Sequence, residues 1–175
     1  SLGSAFALAP SEGSYEVNPP FEPRLVQRLA GHLLGLLEKA DEKRTEGPQP
    51  KKRTALQFIV ITPHWPENAG WRRLAESRFC SHHLLLPRFT HAFVEGEQHT
   101  QKNRYRVSVH DTSVLFLQSK RARKRWPVTQ EVLHELTAAF QPTERVRRLA
   151  QQQREGKQEG KEQKACSGGT KSPIS

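Results

Sequence analysis

Leu56-Gln57-Phe58-Ile59-Val60-Ile61 is an almost unbroken apolar and β-branched run. That is the pattern of a strand covered on both faces, as the strands of a parallel sheet are. Thr62-Pro63-His64-Trp65-Pro66 breaks it. Upstream, Tyr15-Glu16-Val17 predicts a short strand that runs into Asn18-Pro19-Pro20-Phe21, where successive prolines force the chain out of the ladder. Between these strands Leu25, Val26, Leu29, Leu33, Leu36 and Leu37 recur at helical spacing, predicting a helix from Pro23 to about Ala40 with Pro23 in its first turn. Asp41 to Thr54 is polar and rich in Lys, Pro and Gly, the composition of an exposed inserted loop. Downstream, a short helix is expected at Trp71 to Arg78 and a strand at His83 to Leu86. Residues 87–105 read as loop, Tyr105 to His110 alternates as a strand does, and Thr112 to Leu117 is a clearer strand. Thr129 then caps a helix with Val132, Leu133, Leu136, Ala139 and Phe140 on one side. Strand, helix, strand, helix, strand predicts an α/β fold with a mostly parallel sheet. Such sheets bind ligands beyond the carboxyl ends of their strands, which is where Asn18 falls.

The 175 residues allow one domain, yet only 34% are hydrophobic, so part of the chain is expected to be unpacked. That part is assigned to residues 142–175, a Gln/Lys/Glu/Gly-rich basic tail expected to be disordered from about Gln151. No apolar stretch approaches the roughly 20 residues of a membrane span, and the start is not a signal peptide, so no membrane partner is expected. Cys80 and Cys166 lie far apart, and the eight histidines include no H-E-x-x-H spacing. A disulfide scaffold is therefore excluded and no metal is expected. Cys80, behind an aromatic at a strand start, reads as a small buried filler. The chain contains no methionine, so Ser1 reads as an internal residue of something longer.

Net charge is +10. Much of it is concentrated between Lys102 and Arg125, where eight basic residues face Asp111 as the one acid. Local excess of this kind favours a polyanion, most simply nucleic acid. A solvated face or a localisation signal would have the same composition.

Asn18-Pro19-Pro20-Phe21 carries the most specific chemistry. An exocyclic amine on a purine is a poor nucleophile because its lone pair is delocalised. Acceptors that take hydrogen bonds from its N–H groups push the lone pair toward an electrophile. An Asn side-chain carbonyl and the backbone carbonyl of the next proline can do this together, and the prolines keep both aimed in advance. An aromatic fourth residue can stack on the base. The competing reading is a proline-rich strand exit with Asn18 as a turn residue.

The stretch from Gly13 to Phe21, then Phe58-Ile59-Val60-Ile61-Thr62-Pro63-His64-Trp65, resembles the catalytic domain of the phosphorylated CTD-interacting factor family, the cap-specific mRNA adenosine N6-methyltransferases. Ser77-Arg78-Phe79, Leu84 to Phe93, Gln98-His99, His110 to Gln118, Trp126 and the helix Leu133 to Phe140 continue the match over roughly residues 1–140. The resemblance implies the carboxyl-terminal half of a Rossmann-like fold over residues 1–141. It also implies methyl transfer from S-adenosylmethionine to N6 of a 2′-O-methyladenosine beside the 7-methylguanosine cap, in the nucleus. Asn18, Pro19, Pro20 and Phe21 would be catalytic, with Asn18 and Pro19 bordering the donor. Glu22 and the loop Pro63-His64-Trp65-Pro66 would line the cap or target-nucleotide side, and His91, Phe93 and His99 would reach the RNA. The family's partner, the phosphorylated tail of RNA polymerase II, is bound by a WW module expected to be absent here, since Trp65 and Trp71 lie too close together to be its signature pair.

Phe93 stands where the resemblance leads one to expect a tyrosine, and Lys120 to Arg125 is more basic than expected. No Gly-rich donor-binding turn precedes Tyr15, so the chain by itself is expected to bind the donor poorly and to be inactive. Two other readings follow. One is a DNA adenine or protein glutamine methyltransferase with the same tetrapeptide chemistry, against which the basic, His- and aromatic-rich region 88–125 argues. The other is a non-catalytic RNA-binding remnant.

Overall fold

In the computed structural model, residues 4–42, 53–94, 105–144 and 146–148 are described. The chain divides into two units, the first taking Ser1–Arg88 and His110–Ala139, the second Phe89–Val109 and Phe140–Ser175.

The first unit is built on a four-stranded sheet. The Leu56 run forms β2 (Leu56–Pro63), flanked by β1 (Gly13–Val17) and, later in sequence, by β6 (Thr112–Gln118). Beyond β6 lies β3 (Cys80–Leu86), giving the order β1-β2-β6-β3. β1 pairs with β2 in parallel, from Gly13↔Leu56 to Val17↔Val60. β6 pairs antiparallel with both β2 and β3, meeting them at Pro63↔Thr112 and Leu86↔Thr112.

The sheet is therefore mixed, and the expected mostly parallel sheet is corrected: two of its three pairings are antiparallel. A doubly covered strand is apolar in whichever direction it runs, so the Thr112 to Leu117 run carries no sign of direction. Direction is set by connection. A parallel neighbour requires a crossover, usually a helix. Between β3 and β6 the described residues instead form two short strands, and the chain comes back reversed between β2 and β3. Because β2 and β3 both oppose β6, β1, β2 and β3 still run the same way.

One helix-bearing face closes over this sheet. Glu22 caps α1 (Pro23–Asp41): its carboxylate accepts the Arg24 and Leu25 N–H groups at 3.1 and 2.7 Å. Two orphan donors of the first turn are thus satisfied. The apolar stripe of α1 buries Leu29, Leu33 and Leu37 against Leu56, Phe58, Val60, Leu115 and Leu117 of the sheet. Next comes α2 (Ala69–Ala75), capped by Asn68, whose Oδ1 accepts the Trp71 N–H at 3.0 Å. Gly70 brings α2 against α1, and a Cβ there would lie 2.5 Å from Gln27 Cα.

A polar relay crosses all four strands. Gln57 Nε2 donates to Ser14 Oγ at 2.9 Å, Gln118 Nε2 donates to Gln57 Oε1, and Ser81 Oγ donates to Gln118 Oε1 at 2.6 Å. Gln57 and Gln118 are buried, so their amides need these partners, and the relay fixes strand register as well. After β6, Ser119 caps α3 (Lys120–Arg125), which the sequence shows only as a basic run. The Leu56 N–H donates to Ser119 Oγ at 3.0 Å and the Ser119 N–H donates back to the Leu56 carbonyl at 3.0 Å, pinning α3 where β2 begins. α4 (Gln130–Phe140) follows, with Thr129 Oγ1 accepting the Val132 N–H at 3.3 Å as expected of its cap.

In the second unit, β4 (Ala92–Val94) pairs antiparallel with β5 (Tyr105–Val107). The expected loop over 87–105 thus contains a strand, too short to show an alternation. Phe89 sits at φ 67°, an uncommon conformation for an aromatic residue, and its N–H donates to the Ser108 carbonyl at 2.7 Å. Residues 43–52 of the inserted loop, His99, and residues 149–175 of the tail lie outside the described residues.

Candidate functional site

Parallel pairing of β1 with β2 puts their carboxyl ends side by side, and both end in proline-containing segments. Val17 is level with Val60, so Asn18 to Phe21 leaves the sheet next to the strand that carries Pro63-His64-Trp65-Pro66. Neighbouring strands are about 4.8 Å apart. Of the residues singled out by sequence, these two segments are brought together. Asn18 is exposed, and Phe21 keeps 52% of its surface in solvent. The Pro20 carbonyl accepts the Glu22 N–H at 2.8 Å, a tight turn that aims the prolines away from the ladder. Glu22 itself is engaged as the α1 cap. A cavity of about 440 Å³ lies beside the motif, bounded by Asn18, Pro19 and Pro20 and floored by Tyr15, Leu29 and Phe58. The other edge of β1 has no strand partner among the described residues.

The second segment is held by its histidine. The His64 N–H donates to the Asp111 carbonyl at 2.9 Å, and His64 Nδ1 lies 3.1 Å from Ser113 Oγ. His83 Nε2 lies 3.0 Å from the same hydroxyl. A serine has one proton to give, so when it donates to one ring the other ring must donate to it, and the two tautomers are coupled. The imidazoles stack at 5.8 Å, and Trp71 stands edge-on to both, at 5.0 and 5.5 Å. Partial burial pushes the His83 pKa below the ordinary histidine value, and the neighbouring His64 adds to the shift. Thr62 Oγ1 and Trp71 Nε1 are buried with no hydrogen-bond partner among the described residues. Trp65 closes the turn, its carbonyl accepting the Asn68 N–H at 2.9 Å. Ser113 and His83 were missed as site residues; the available signal was a serine inside an otherwise apolar run and a histidine at the start of another.

His91 and Phe93 belong to the second unit. His91 is 1% exposed, and its ring meets Phe93 at 5.3 Å and Phe140 at 6.5 Å, both edge-on. Among the described residues no three His, Cys, Asp or Glu side chains gather as a metal site would require. No described helix is long and apolar enough to cross a membrane. Cys80 is a free cysteine whose thiol pKa is pushed up by burial, with Arg123 opposing that shift.

A family profile described as "Phosphorylated CTD interacting factor 1 WW domain" matches residues 1–96. In this chain those residues contain β1, α1, β2, α2, β3 and β4. A human protein named mRNA (2′-O-methyladenosine-N(6)-)-methyltransferase is 38% identical over 149 residues, covering 83% of this chain and 20% of that protein. A mouse protein of the same name is 37% identical over 149 residues, covering 83% of this chain and 19% of its own length. The chain thus spans about one fifth of the length of these relatives.

Proposed function

The chain belongs to the phosphorylated CTD interacting factor 1 family, and on that premise we propose that it supplies the adenine-gripping part of a cap-specific mRNA adenosine N6-methyltransferase. The observation that carries this reading is the placement of Asn18-Pro19-Pro20-Phe21 at the carboxyl end of β1, beside the His64 loop. In this role Asn18 Oδ1 and the Pro19 carbonyl accept hydrogen bonds from the N6 amine of the target adenosine. That leaves its lone pair directed at the incoming methyl group. Neither proline has an N–H, so the backbone at Pro19 and Pro20 offers the amine acceptors only. The exposed Phe21 ring offers a stacking face to the base. His64 and Trp65 border the neighbouring nucleotide or the cap.

The methyl donor in this reading is S-adenosylmethionine, whose sulfonium makes the methyl group electrophilic. The residues bounding the cavity fit it only in part. Asn18 and Pro19 suit the reacting end, but the lining is largely apolar, with Ser4, Glu16 and His32 among its few polar side chains for the ribose and amino-acid ends. The remaining contacts are assigned to the other four fifths of the relatives' length. The direction shared by β1, β2 and β3, with β6 reversed between the last two, supports the carboxyl-terminal half of a Rossmann-like methyltransferase sheet. The edge of β1 that has no strand partner among the described residues supports continuation of that sheet. Contact with the phosphorylated polymerase tail, the partner the resemblance implies, is assigned to the whole protein, and its place of action to the nucleus.

The apolar donor side favours one other reading, an RNA-binding remnant without catalysis. Incubating the full-length protein with labelled S-adenosylmethionine and capped RNA beginning with 2′-O-methyladenosine separates the two. Label at N6 of the first nucleotide is expected. RNA binding with no transfer would leave the remnant, and label in DNA adenine or protein glutamine would replace the substrate class.

A further inference from the structure

The most basic run in the chain does not lie at the Asn18 end of the sheet. β6 opposes β2, so Gln118 is level with Gln57, and α3 begins beside Leu56 at the amino-terminal end of β2. From Leu56 to His64 is eight residues, roughly 25 Å at about 3.3 Å per residue. The sequence presents Lys102 to Arg125 as one basic region, and folding carries its densest part to the far end.

There the five cations of α3, Lys120, Arg121, Arg123, Lys124 and Arg125, are exposed, as is Arg78. None forms an ion pair among the described residues. Arg121, Lys124 and Arg125 are spaced i, i+3, i+4 and share one helix face. Two guanidinium groups are braced against backbone: Arg121 donates to the Arg53 carbonyl at 3.2 Å and Arg123 to the Arg78 carbonyl. Each keeps further N–H groups for a second acceptor. Arg125 lies over the Trp126 ring, 5.0 Å from its centroid. Glu38, Asp41 and Glu42 share a shallow depression with Arg78 and Lys120, bordering the patch with negative charge on that flank.

We propose that α3 and Arg78 form a second RNA-backbone contact, taken by the transcript downstream of the target nucleotide. The proposal rests on the methyltransferase reading: a target at the 5′ end leaves only the 3′ strand to continue across the protein. At about 3.4 Å per stacked nucleotide, spanning roughly 25 Å takes about seven nucleotides. Short RNAs fill the Asn18 end alone, and longer ones gain the patch. The contact reads phosphates and is indifferent to sequence.

The test compares the full-length protein with its Lys120→Gln/Lys124→Gln/Arg125→Gln variant, since no hydrogen bond from these three side chains holds the fold among the described residues. Binding is measured to capped RNAs of about 4 and about 20 nucleotides between 50 and 200 mM salt. For the long RNA, the slope of log affinity against log salt should fall by about 2 in the variant, about 0.7 for each lost phosphate contact. Over that salt range the wild type should then lose about 20-fold more affinity than the variant. Affinity for the short RNA and turnover on it should not change, and Lys120→Arg/Lys124→Arg/Arg125→Lys should behave as wild type. An unchanged slope on the long RNA overturns the proposal, as does an equal loss on the short one. Loss of nuclear accumulation with unchanged RNA binding also overturns it, in favour of a localisation signal. A wild type unable to methylate the short RNA contradicts the methyltransferase reading instead, whatever the slopes.

Discussion

Ser113 joins His64 of the loop after β2 to His83 of β3 through one hydroxyl, and its consequences can be read at the level of single protons. His83 takes up a proton less readily in the fold than in the unfolded chain, because burial and the adjacent His64 both disfavour the imidazolium. Its folded pKa lies below the unfolded value of about 6.5. Between those two values the unfolded chain binds more protons, so stability is full above about pH 6.5 and declines as pH falls through that window. His83 is an exposed residue of β3, so the effect is small. Urea midpoints at pH 7.5 and 5.5 should show an acid-side loss in the wild type that His83→Gln reduces. Equal losses in the two proteins would remove His83 as the cause. Cys80 illustrates the opposite sign: burial favours its neutral thiol, so alkylation of Cys80 in the native protein near neutral pH should be slower than after unfolding, followed by mass spectrometry.

Helix contacts make a sharper pair of predictions. Gly70→Ala would place a Cβ 2.5 Å from Gln27 Cα and 2.6 Å from Gln27 N, and backbone cannot yield as a side chain can. It should destabilise by about 1–3 kcal/mol through overpacking of α2 on α1. Gly35, in the middle of α1, has nothing within 4 Å of its Cβ position. Gly35→Ala should stabilise by about 0.5–1 kcal/mol, with denaturant unfolding as the measure for both. The elements most legible in the sequence are those whose burial imposes a period: the leucine stripe of α1 and the dense runs of β2 and β6. What they could not convey is direction, because a strand covered on both faces is apolar whichever way it points. α3 was invisible for a related reason: it buries only Ala122, and its identity as a helix rests on the Ser119 cap. The candidate site divides in the same way. Asn18 to Phe21 is contiguous and could be found, whereas His64 and His83 meet Ser113 across 49 and 30 residues of sequence, a proximity made by strand pairing.

At the scale of the whole molecule, the fold distributes two chemistries between the two ends of one sheet. The prolines and aromatics collect where β1 and β2 end, and the cations of α3 collect where β2 begins. The net charge of +10 is therefore not a uniform coat, and its densest described cluster lies away from the proposed reacting end. The four-strand relay through Ser14, Gln57, Gln118 and Ser81 keeps those ends in fixed register. Gln118→Leu should cost about 1–3 kcal/mol by leaving buried partners unpaired, read from thermal or urea unfolding. The measurement that bears most directly on function is methyl transfer by the full-length protein to capped RNA beginning with 2′-O-methyladenosine, comparing wild type with Asn18→Ala. Turnover should fall at least about a hundredfold, as when one preorganised charge-stabilising contact is removed, with RNA affinity little changed. Wild-type turnover by Asn18→Ala would contradict the assignment of the chemistry to the end of β1.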